Sequence, residues 1–437
     1  MNKNKTFLII CIGMLILIQN LQAYDHMWGA RLDIGVQGLE LRGTHFIAST
    51  NDSMNFSYKG TWNPSINIET DFNLLFNGNF LIGITDLSTL EFGYLGFSYN
   101  LFPELNLLNL NGNIGSFSYK AGRQLINDPG SLIVRYNADA LKVSYQTGIN
   151  NFSVGVGFTG LVFNTASKFD MTKTDLIWGD FIAPPRLFQY AQWSTSGLSS
   201  AMDISAMFLA QEDLTPIDRL ATGASLFHSQ YLEIMFKGFL GSPFLYYLTF
   251  VGQTGQYGNA SILAGIGQLS LFYLPRNGRS RIGFDIHAAT GDGWDRGNYF
   301  LGNVGPGVDS LNQYLPMSKV STQGYVEKFE LGNLISLAAL YSIKSKSERF
   351  SAEFSTTTFL RVKDGPVSST LVIDSGSSDM FLGQEGLVNL SFRPLQDFGY
   401  SFKLGVLYLG DPIEIDSNLE EYLPILFRLG LDFSISF

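Results

Sequence analysis

The sequence has 437 residues, enough for two or three ordinary domains or for one large barrel. Charged residues make up only 15% of it, well below the roughly 25% that is typical of soluble domains. Acidic residues outnumber basic ones by 38 to 28. This balance argues against nucleic-acid binding, because that function requires a basic face.

Residues 1–23 have the features of a secretory signal peptide. Two lysines precede an almost unbroken apolar core over residues 7–18, and Leu21-Gln22-Ala23 forms a loose small-residue cleavage site. We therefore expect a mature chain that begins near Tyr24. The alternative, an uncleaved anchor helix, is disfavoured because the apolar run is short for a membrane span.

The single cysteine, Cys11, lies inside this signal and has Leu8-Ile9-Ile10 before it, so it does not form a lipoprotein site. The mature chain is expected to contain no cysteine, which excludes disulfides and thiolate metal sites. Loss of the two signal lysines leaves 26 basic and 38 acidic residues.

The body of the chain alternates between two kinds of residue. No apolar run of about 18 residues follows the signal, so no transmembrane helix is predicted. Instead, apolar residues occupy every second position, which is the period of a β-strand. In chain order, the clearest alternating runs are 153–159, 281–287, 388–393, 398–408 and 425–437.

The carboxyl-terminal run shows the alternation best. One face is apolar, and the other is small, polar or charged apart from Leu426 near its start. Dyad strands of about ten residues are the signature of a membrane β-barrel. The apolar set is Ile425, Phe427, Leu429, Leu431, Phe433, Ile435 and Phe437, and the other set is Arg428, Gly430, Asp432, Ser434 and Ser436.

The predicted fold is all-β: a closed antiparallel transmembrane β-barrel over residues 24–437, with about 18 strands (roughly 16–22). A soluble sandwich also alternates, but its polar face is usually rich in Lys, Glu and Thr, whereas this one is rich in Gly and Ser. Closure is expected because lipid cannot satisfy unpaired backbone groups.

The last dozen residues, which end in Phe437, resemble the terminal strand of Gram-negative outer-membrane proteins. Together with the signal peptide and the dyad strands, this resemblance implies a porin-like protein of the outer membrane of a diderm bacterium. It also implies recognition of Phe437 by the barrel-assembly machinery and contact with membrane lipid and lipopolysaccharide, and it allows a homotrimer. The resemblance does not define a function.

Turn chemistry between alternating runs predicts short periplasmic turns, with longer extracellular loops between them. The first ~60 mature residues do not divide cleanly into hairpins, and residues 101–110 fit either a strand or a periplasmic excursion. The predicted turns are 147–150, 240–243, 275–278, 363–366 and 393–396, and the predicted long loops are 162–185, 211–228, 290–318 and 411–423.

Several motifs suggest chemistry but have simpler interpretations. The Gly155–Gly160 pattern matches a dinucleotide motif, yet it lies within a strand rather than before a helix. Asp374-Ser375-Gly376 resembles the active-site tripeptide of aspartic proteases. That chemistry needs two carboxylates, and the sequence has no second copy of the tripeptide. The segment 292–298 could offer oxygens to calcium, but it lacks the usual spacing, so a surface loop is preferred. His228 is the one histidine placed for catalysis, and we expect no catalytic residue, metal or cofactor.

Charged residues recur on the polar faces, where they are expected to line a pore. A charge that faced hydrocarbon would cost about 2–4 kcal/mol at mid-membrane, so parity places these side chains inside. The predicted pore-lining residues are Lys142, Arg281, Asp285, His287, Glu353, Lys403, Arg428 and Asp432.

These features favour a channel for passive diffusion of small hydrophilic solutes, with selectivity set by the lumen charges. An inward-folded loop is expected to narrow the lumen, and 290–318 is one candidate. A plugged barrel would hold the same charges in salt bridges. Two further hypotheses stay open: a transporter of hydrophobic compounds, suggested by the apolar residues in 162–188, and a surface adhesin or structural barrel.

The signal-peptide prediction can be checked by amino-terminal sequencing of protein purified from membranes. We expect the sequence to begin at Tyr24, because the small-residue site ends at Ala23. Protein that starts at Met1 would contradict the prediction.

Overall fold

The computed structural model describes residues 23–42, 45–62, 67–86, 91–162, 169, 171–199, 202–276, 278–298, 303–304, 307–318, 322–369, 371–395, 398–413 and 425–436. The predictions for residues 1–22 and for Phe437 lie outside these ranges. Within the described ranges, no helix has the length and apolarity needed to cross a membrane.

Among the described residues, long strands dominate, and three strands are two residues long. The strands are β1 (Ala23–Arg42), β2 (His45–Trp62), β3 (Asn67–Asp86), β4 (Glu91–Ile114), β5 (Phe117–Asn127), β6 (Arg135–Thr147), β7 (Asn150–Phe158), β8 (Arg186–Ser199), β9 (Met202–Asp213), β10 (Phe227–Phe239), β11 (Phe244–Tyr257), β12 (Ala260–Tyr273), β13 (Ser280–Ala289), β14 (Gly297–Asn298), β15 (Asn303–Val304), β16 (Ser310–Leu311), β17 (Leu334–Lys344), β18 (Phe350–Arg361), β19 (Phe381–Phe392), β20 (Phe398–Leu409) and β21 (Ile425–Ser436). Among the described residues, the connections contain one short helix, α1 (Lys173–Leu176), and a 3-10 turn (Ile217–Arg219).

The long strands form a closed ring. Each pairs antiparallel with the next along the chain, and β13 pairs with β17 across the short strands. The ring closes between β1 and β21, from Gly29 opposite Ser436 to Ile34 opposite Leu431. In the described part of the chain, eighteen long strands therefore make the barrel, and the predicted all-β fold and strand number are confirmed.

The two faces of each wall strand differ in burial. In β12, Ile262 is 3% exposed and its neighbour Leu263 is 69% exposed. The buried positions of β5 to β13 pack in one cluster with residues from the connections, so this face points into the barrel. The other face carries exposed apolar side chains such as Phe250 and Phe284. Successive residues point in opposite directions because the strand period is two.

The barrel has a short-turn end and a long-loop end. The predicted turns at 147–150, 240–243, 275–278 and 393–396 join strands at the short-turn end. The predicted turn at 363–366 is wrong, because it lies in the connection 362–380 at the long-loop end, and 345–349 is the short turn that joins β17 to β18. Residues 363–366 instead contact the second half of the barrel interior: the Asn333 side chain forms hydrogen bonds with the backbone of Lys363 and Pro366.

The amino-terminal region also belongs to the ring. The two strands β1 and β2 pair along almost their whole length, from Ala23 opposite Trp62 to Arg42 opposite His45. Residues 101–110 lie within β4, which decides between the strand and the periplasmic excursion. Backbone pairing builds these strands although their alternation is weak, because each strand continues a ladder begun by its neighbour.

The Gly155–Gly160 motif has a packing role. Gly155 and Gly157 are on the inward face of β7, where an added Cβ would overlap the rings of Tyr190 and Phe188. Both aromatic residues are on the neighbouring strand β8, directly opposite these glycines. The motif therefore gives space to aromatic rings, as expected for lumen-facing glycine in a strand.

Ring closure predicts a disulfide between engineered cysteines at Ala30 and Ile435, which are directly opposite each other in β1 and β21. Directly opposite Cα atoms lie about 4.5–5.5 Å apart, within the range that a disulfide bridges. Oxidation of Ala30→Cys/Ile435→Cys should give a reductant-sensitive mobility shift on a denaturing gel. Ala30→Cys/Leu404→Cys is the control, because Leu404 pairs with β21. Equal cross-linking in both variants, or none in the first, would refute closure.

Candidate functional site

The first inner segment, residues 310–318, leaves the wall and enters the barrel. Its first two residues pair parallel with Ser261 and Ile262 of β12, beyond the last pair that β12 makes with β13. The Tyr314 hydroxyl donates to the Leu132 carbonyl at 2.8 Å, and the Tyr231 hydroxyl of β10 donates to the Leu315 carbonyl at 2.8 Å. Tyr314 and Met317 are fully buried. This segment lies within the predicted 290–318 loop and folds inward as predicted.

The connection 128–134 supports this segment from the β5–β6 wall. The Asp128 carboxylate accepts three backbone N–H bonds, from residues 132, 133 and 134, at 2.6–3.1 Å. Burial raises the pKa of Asp128, although these N–H donors act in the opposite direction. The Gly130 N–H donates to Glu233 of β10 at 2.5 Å. This bond ties the connection to a second wall strand.

The second inner segment, residues 322–333, lies along the other wall. The Glu385 carboxylate of β19 accepts the backbone N–H groups of Tyr325 and Val326 at 2.7–2.9 Å. Arg428 of β21 donates to the Tyr325 carbonyl at 2.8 Å. Its guanidinium also lies 5.0 Å from the centre of the Tyr325 ring, a cation–π arrangement. Three charged or aromatic side chains thus hold this segment to β19 and β21.

Small residues in the wall make room for the second inner segment. A Cβ at Gly405 would lie 2.7 Å from the Tyr325 ring, and one at Gly430 would overlap its hydroxyl. The half-buried Leu426 packs against the apolar cluster that includes Phe329 of the segment. Leu426 is the exception in the alternating pattern of the last strand, and this contact explains it.

The two segments narrow the lumen from opposite walls. The first packs against the inward faces of β5, β6 and β8 to β13, and Phe329 of the second packs against those of β17 to β21, while Leu331 of the second joins the first cluster. Toward the short-turn end, the lumen keeps open polar cavities of about 800 and 250 Å³ beside β4 to β7 and about 520 Å³ beside β17 to β20. The arrangement is a wide polar mouth that leads to a restriction.

The predicted pore-lining residues lie on inward positions of the wall. Burial and cross-strand register place seven of them there. The eighth, Asp432, is known from its backbone alone, which lies opposite the inward-facing Ser401. The other seven are Lys142, Arg281, Asp285, His287, Glu353, Lys403 and Arg428.

The structure brings only some of these residues together. Arg281 and Glu353 form an ion pair at 3.7 Å while each side chain stays about 40% exposed (42% and 39%). Asp285 and His287 approach to 3.5 Å. Lys142 lies directly opposite another lysine, Lys120 of β5. Exposed ion pairs have a median worth of about 0–1 kcal/mol, so these charges act mainly through their field in the lumen.

A chain of polar contacts connects the wall to the second inner segment. The Ser270 hydroxyl donates to Asp285, and His287 lies 3.4 Å from the Ser336 hydroxyl. Ser336 donates in turn to the Gln323 side-chain oxygen at 3.2 Å. These contacts link the Asp285 carboxylate to the second inner segment through His287 and Ser336.

Sequence reasoning missed Glu385, Glu233 and Asp128. The first two occupy inward strand positions, which parity alone could have identified, but their partners are backbone groups of distant segments. Asp128 follows β5 and precedes Pro129-Gly130, a turn signal. Each carboxylate holds a connection in place, and no local pattern reveals such a contact.

The described residues of the apolar segment 162–188 do not form one exposed surface. Phe169 and Met171 are fully buried inside, whereas Ile177 and Phe181 are 63% and 71% exposed. A buried ion pair lies between the buried and the exposed residues of this segment: Arg186 donates to Asp175 at 2.5 Å. Burial raises the pKa of Asp175, and the nearby Arg186 opposes this shift.

The other motifs have local structural roles. Both Asp292 oxygens accept N–H bonds, from Asn312 and Gln313 at 2.7–3.0 Å, so this carboxylate holds residues 312 and 313 against the loop. Asp374 accepts the Gly376 N–H, which forms a local turn. His228 is the second residue of β10, on the outward parity, and accepts the Asp213 N–H at 3.4 Å.

No family model matches the chain, and no curated protein matches it. Similar solved structures come from Pseudomonas aeruginosa. OccK7 (OpdD) has a TM-score of 0.56 at 10% identity, over 95% of this chain and 99% of that one. OpdL has 0.56 at 11%, over 94% and 99%, and the outer membrane protein OpdK has 0.56 at 10%, over 95% and 100%. The chain therefore shares the β-barrel fold of these porins over nearly its whole length.

The anchor of the second inner segment can be tested with Glu385→Ala. Hydrogen bonds to charged groups contribute about 1.5–3 kcal/mol, so amide hydrogen exchange at Tyr325 and Val326 should accelerate by roughly tenfold or more. Glu212→Ala removes an exposed carboxylate on the outward face and should leave both amides unchanged. Equal exchange in the two variants would show that Glu385 does not anchor the segment.

Proposed function

We propose that this protein is a porin-like channel of a bacterial outer membrane, through which small hydrophilic solutes diffuse passively. The observation that carries the proposal is the closed ring of strands, which has a charged inward face and open polar cavities below a restriction. No catalytic residue, metal or cofactor takes part in this mechanism. The similarity to porin structures supports the fold on which the proposal rests.

The outward face supports placement in a membrane. Leu263, Phe284 and Phe250 are more than half exposed on it (69%, 57% and 53%). Exposed apolar area on this scale is unusual for a monomeric soluble protein and matches the lipid-facing band of an outer-membrane barrel. Closure leaves no open sheet edge in the hydrocarbon, where an unpaired backbone group would cost several kcal/mol.

The lumen charges favour a channel over a plugged barrel. The ion pair of Arg281 and Glu353 remains about 40% exposed inside the barrel (42% and 39%), which indicates contact with water. Further charges, including Lys142 and Lys403, face the cavities near the short-turn end. A field from charged walls orders water and sorts solutes by charge. The inner segments set the size limit, and the wall charges set the selectivity.

The cellular context completes the proposal. After removal of residues 1–23, the barrel-assembly machinery would recognise the strand that ends at Phe437, and the outward face would contact lipid and lipopolysaccharide. The short-turn end would face the periplasm, as in bacterial outer-membrane barrels. A homotrimer stays a prediction, to be checked by the mass of the detergent-solubilised protein.

One observation favours a second function, the transport of hydrophobic compounds. Ile177, Phe181 and Ile217 are 63%, 71% and 78% exposed near the long-loop end. The ion pair of Asp180 with Arg219 joins the two connections that carry them. Apolar compounds that copurify with the protein, identified by mass spectrometry, would support this second function. Their absence, with conductance present, would leave the hydrophilic channel.

Planar-bilayer recording tests the proposal directly. The purified protein should produce discrete conductance steps, and Arg281→Glu should raise the cation-to-anion permeability ratio by about twofold or more, because it reverses a lumen charge. Arg135→Glu reverses an exposed charge of outward parity and should have little effect. Absence of steps would refute the channel, and equal shifts in the two variants would refute selectivity by lumen charge.

A further inference from the structure

We propose that the short-turn mouth of the lumen contains a binding site for small multivalent organic anions. This inference rests on the proposed channel function and adds a solute class to it. The site is a cavity of about 520 Å³ formed by β17 to β20, by the turn 345–349 and by Arg393 after β19. A volume of this size falls within the range of small-molecule pockets.

Cross-strand register builds the floor of the cavity. One row across the inward face consists of Lys344, Ser351, Ser391 and Ser401, each directly opposite the next. All four residues line the cavity. The row presents one ammonium group and three hydroxyl groups to the lumen, and every one of them can donate a hydrogen bond.

Arg349 and Arg393 form a pair of arginines at the rim. The Arg393 N–H donates to the Arg349 carbonyl at 2.7 Å, which continues the ladder beyond the outward-facing pair of Phe350 and Phe392. Both arginines are solvent-exposed and line the cavity. Like charges directly opposite each other destabilise a sheet, and a bound anion between the two guanidinium groups would relieve this repulsion.

Lys403 supplies the fourth cation, one row deeper than Ser401. Among the described residues that line the cavity, Glu348 is the single acid. Two further acids lie at its edge: Glu353, which is paired with Arg281, and Asp432, whose backbone is opposite Ser401. The lining residues therefore have a net charge of +3, in a protein whose overall charge is −10.

This donor set fits an organic polyanion better than chloride. Guanidinium groups bind carboxylate or phosphate through two parallel hydrogen bonds, and the two arginines with the lysines can hold several such groups at once. The hydroxyl row suits the remaining oxygens. A solute with two or three anionic groups could pair with more than one of these cations at once, whereas a monovalent anion could not.

Citrate block of single channels tests the site in the whole protein. Citrate added on the short-turn side should interrupt the current, with a dwell time that Arg349→Gln/Arg393→Gln shortens by roughly tenfold, since each lost charge-assisted bond weakens binding. Acetate should not block. Arg276→Gln is the control, because Arg276 is an exposed arginine in the turn 274–279 at the same end, outside the cavity.

The outcomes separate the site from the channel. Absence of conductance in the unaltered protein would refute the channel itself. Normal conductance without citrate block, or with equal block in the double variant and in the control, would refute the site and leave the channel intact. If the double variant does not fold, Lys344→Gln and Lys403→Gln provide the same comparison, and unchanged block in both would overturn the proposal. Inorganic phosphate tested beside citrate distinguishes phosphate recognition from carboxylate recognition.

Discussion

Hydrogen bonding between the first and last strands is the constraint that underlies every other feature of the barrel. Because β1 pairs with β21, every long wall strand has two neighbours, and the sheet has no free edge to expose backbone groups to lipid. Closure also divides each strand into an outward and an inward face. The apolar outer surface, the charged inner wall and the confined lumen are all consequences of this one ring.

The interior is shaped by connections rather than by the strands. The two inner segments, 310–318 and 322–333, come from the same long connection and pack against opposite walls. Their anchors are carboxylates and tyrosines that bond backbone groups, such as Glu385 with Tyr325. Buried carboxylates without such partners would be costly, so each anchor stabilises its segment only in the folded position. The restriction is therefore a specific structure and not loose filling.

Charge is distributed unevenly along the lumen. The two open cavities beside β4 to β6 and β17 to β20 are lined by six lysines and arginines, while Glu385, Glu233 and Asp128 lie nearer the long-loop end. These basic groups face the cavities, whereas the carboxylates of Glu385, Glu233 and Asp128 accept backbone N–H bonds. A protein with an acidic overall balance can thus present a basic mouth inside its barrel.

Alternation along the chain was enough to predict the strand period, the parity of residues such as Arg281 and Lys403, and the approximate strand number, because two different solvents on the two faces leave a mark at every second position. The Gly-Asp and Gly-Pro elements of 290–318 made this loop a candidate for folding inward. The folded barrel was needed to show that 363–366 belongs to the long-loop end and that Leu426 packs on an inner segment. The same holds for the pairing of Arg349 with Arg393 at the mouth. These features depend on contacts between residues far apart in the chain, and such contacts have no local period to reveal them.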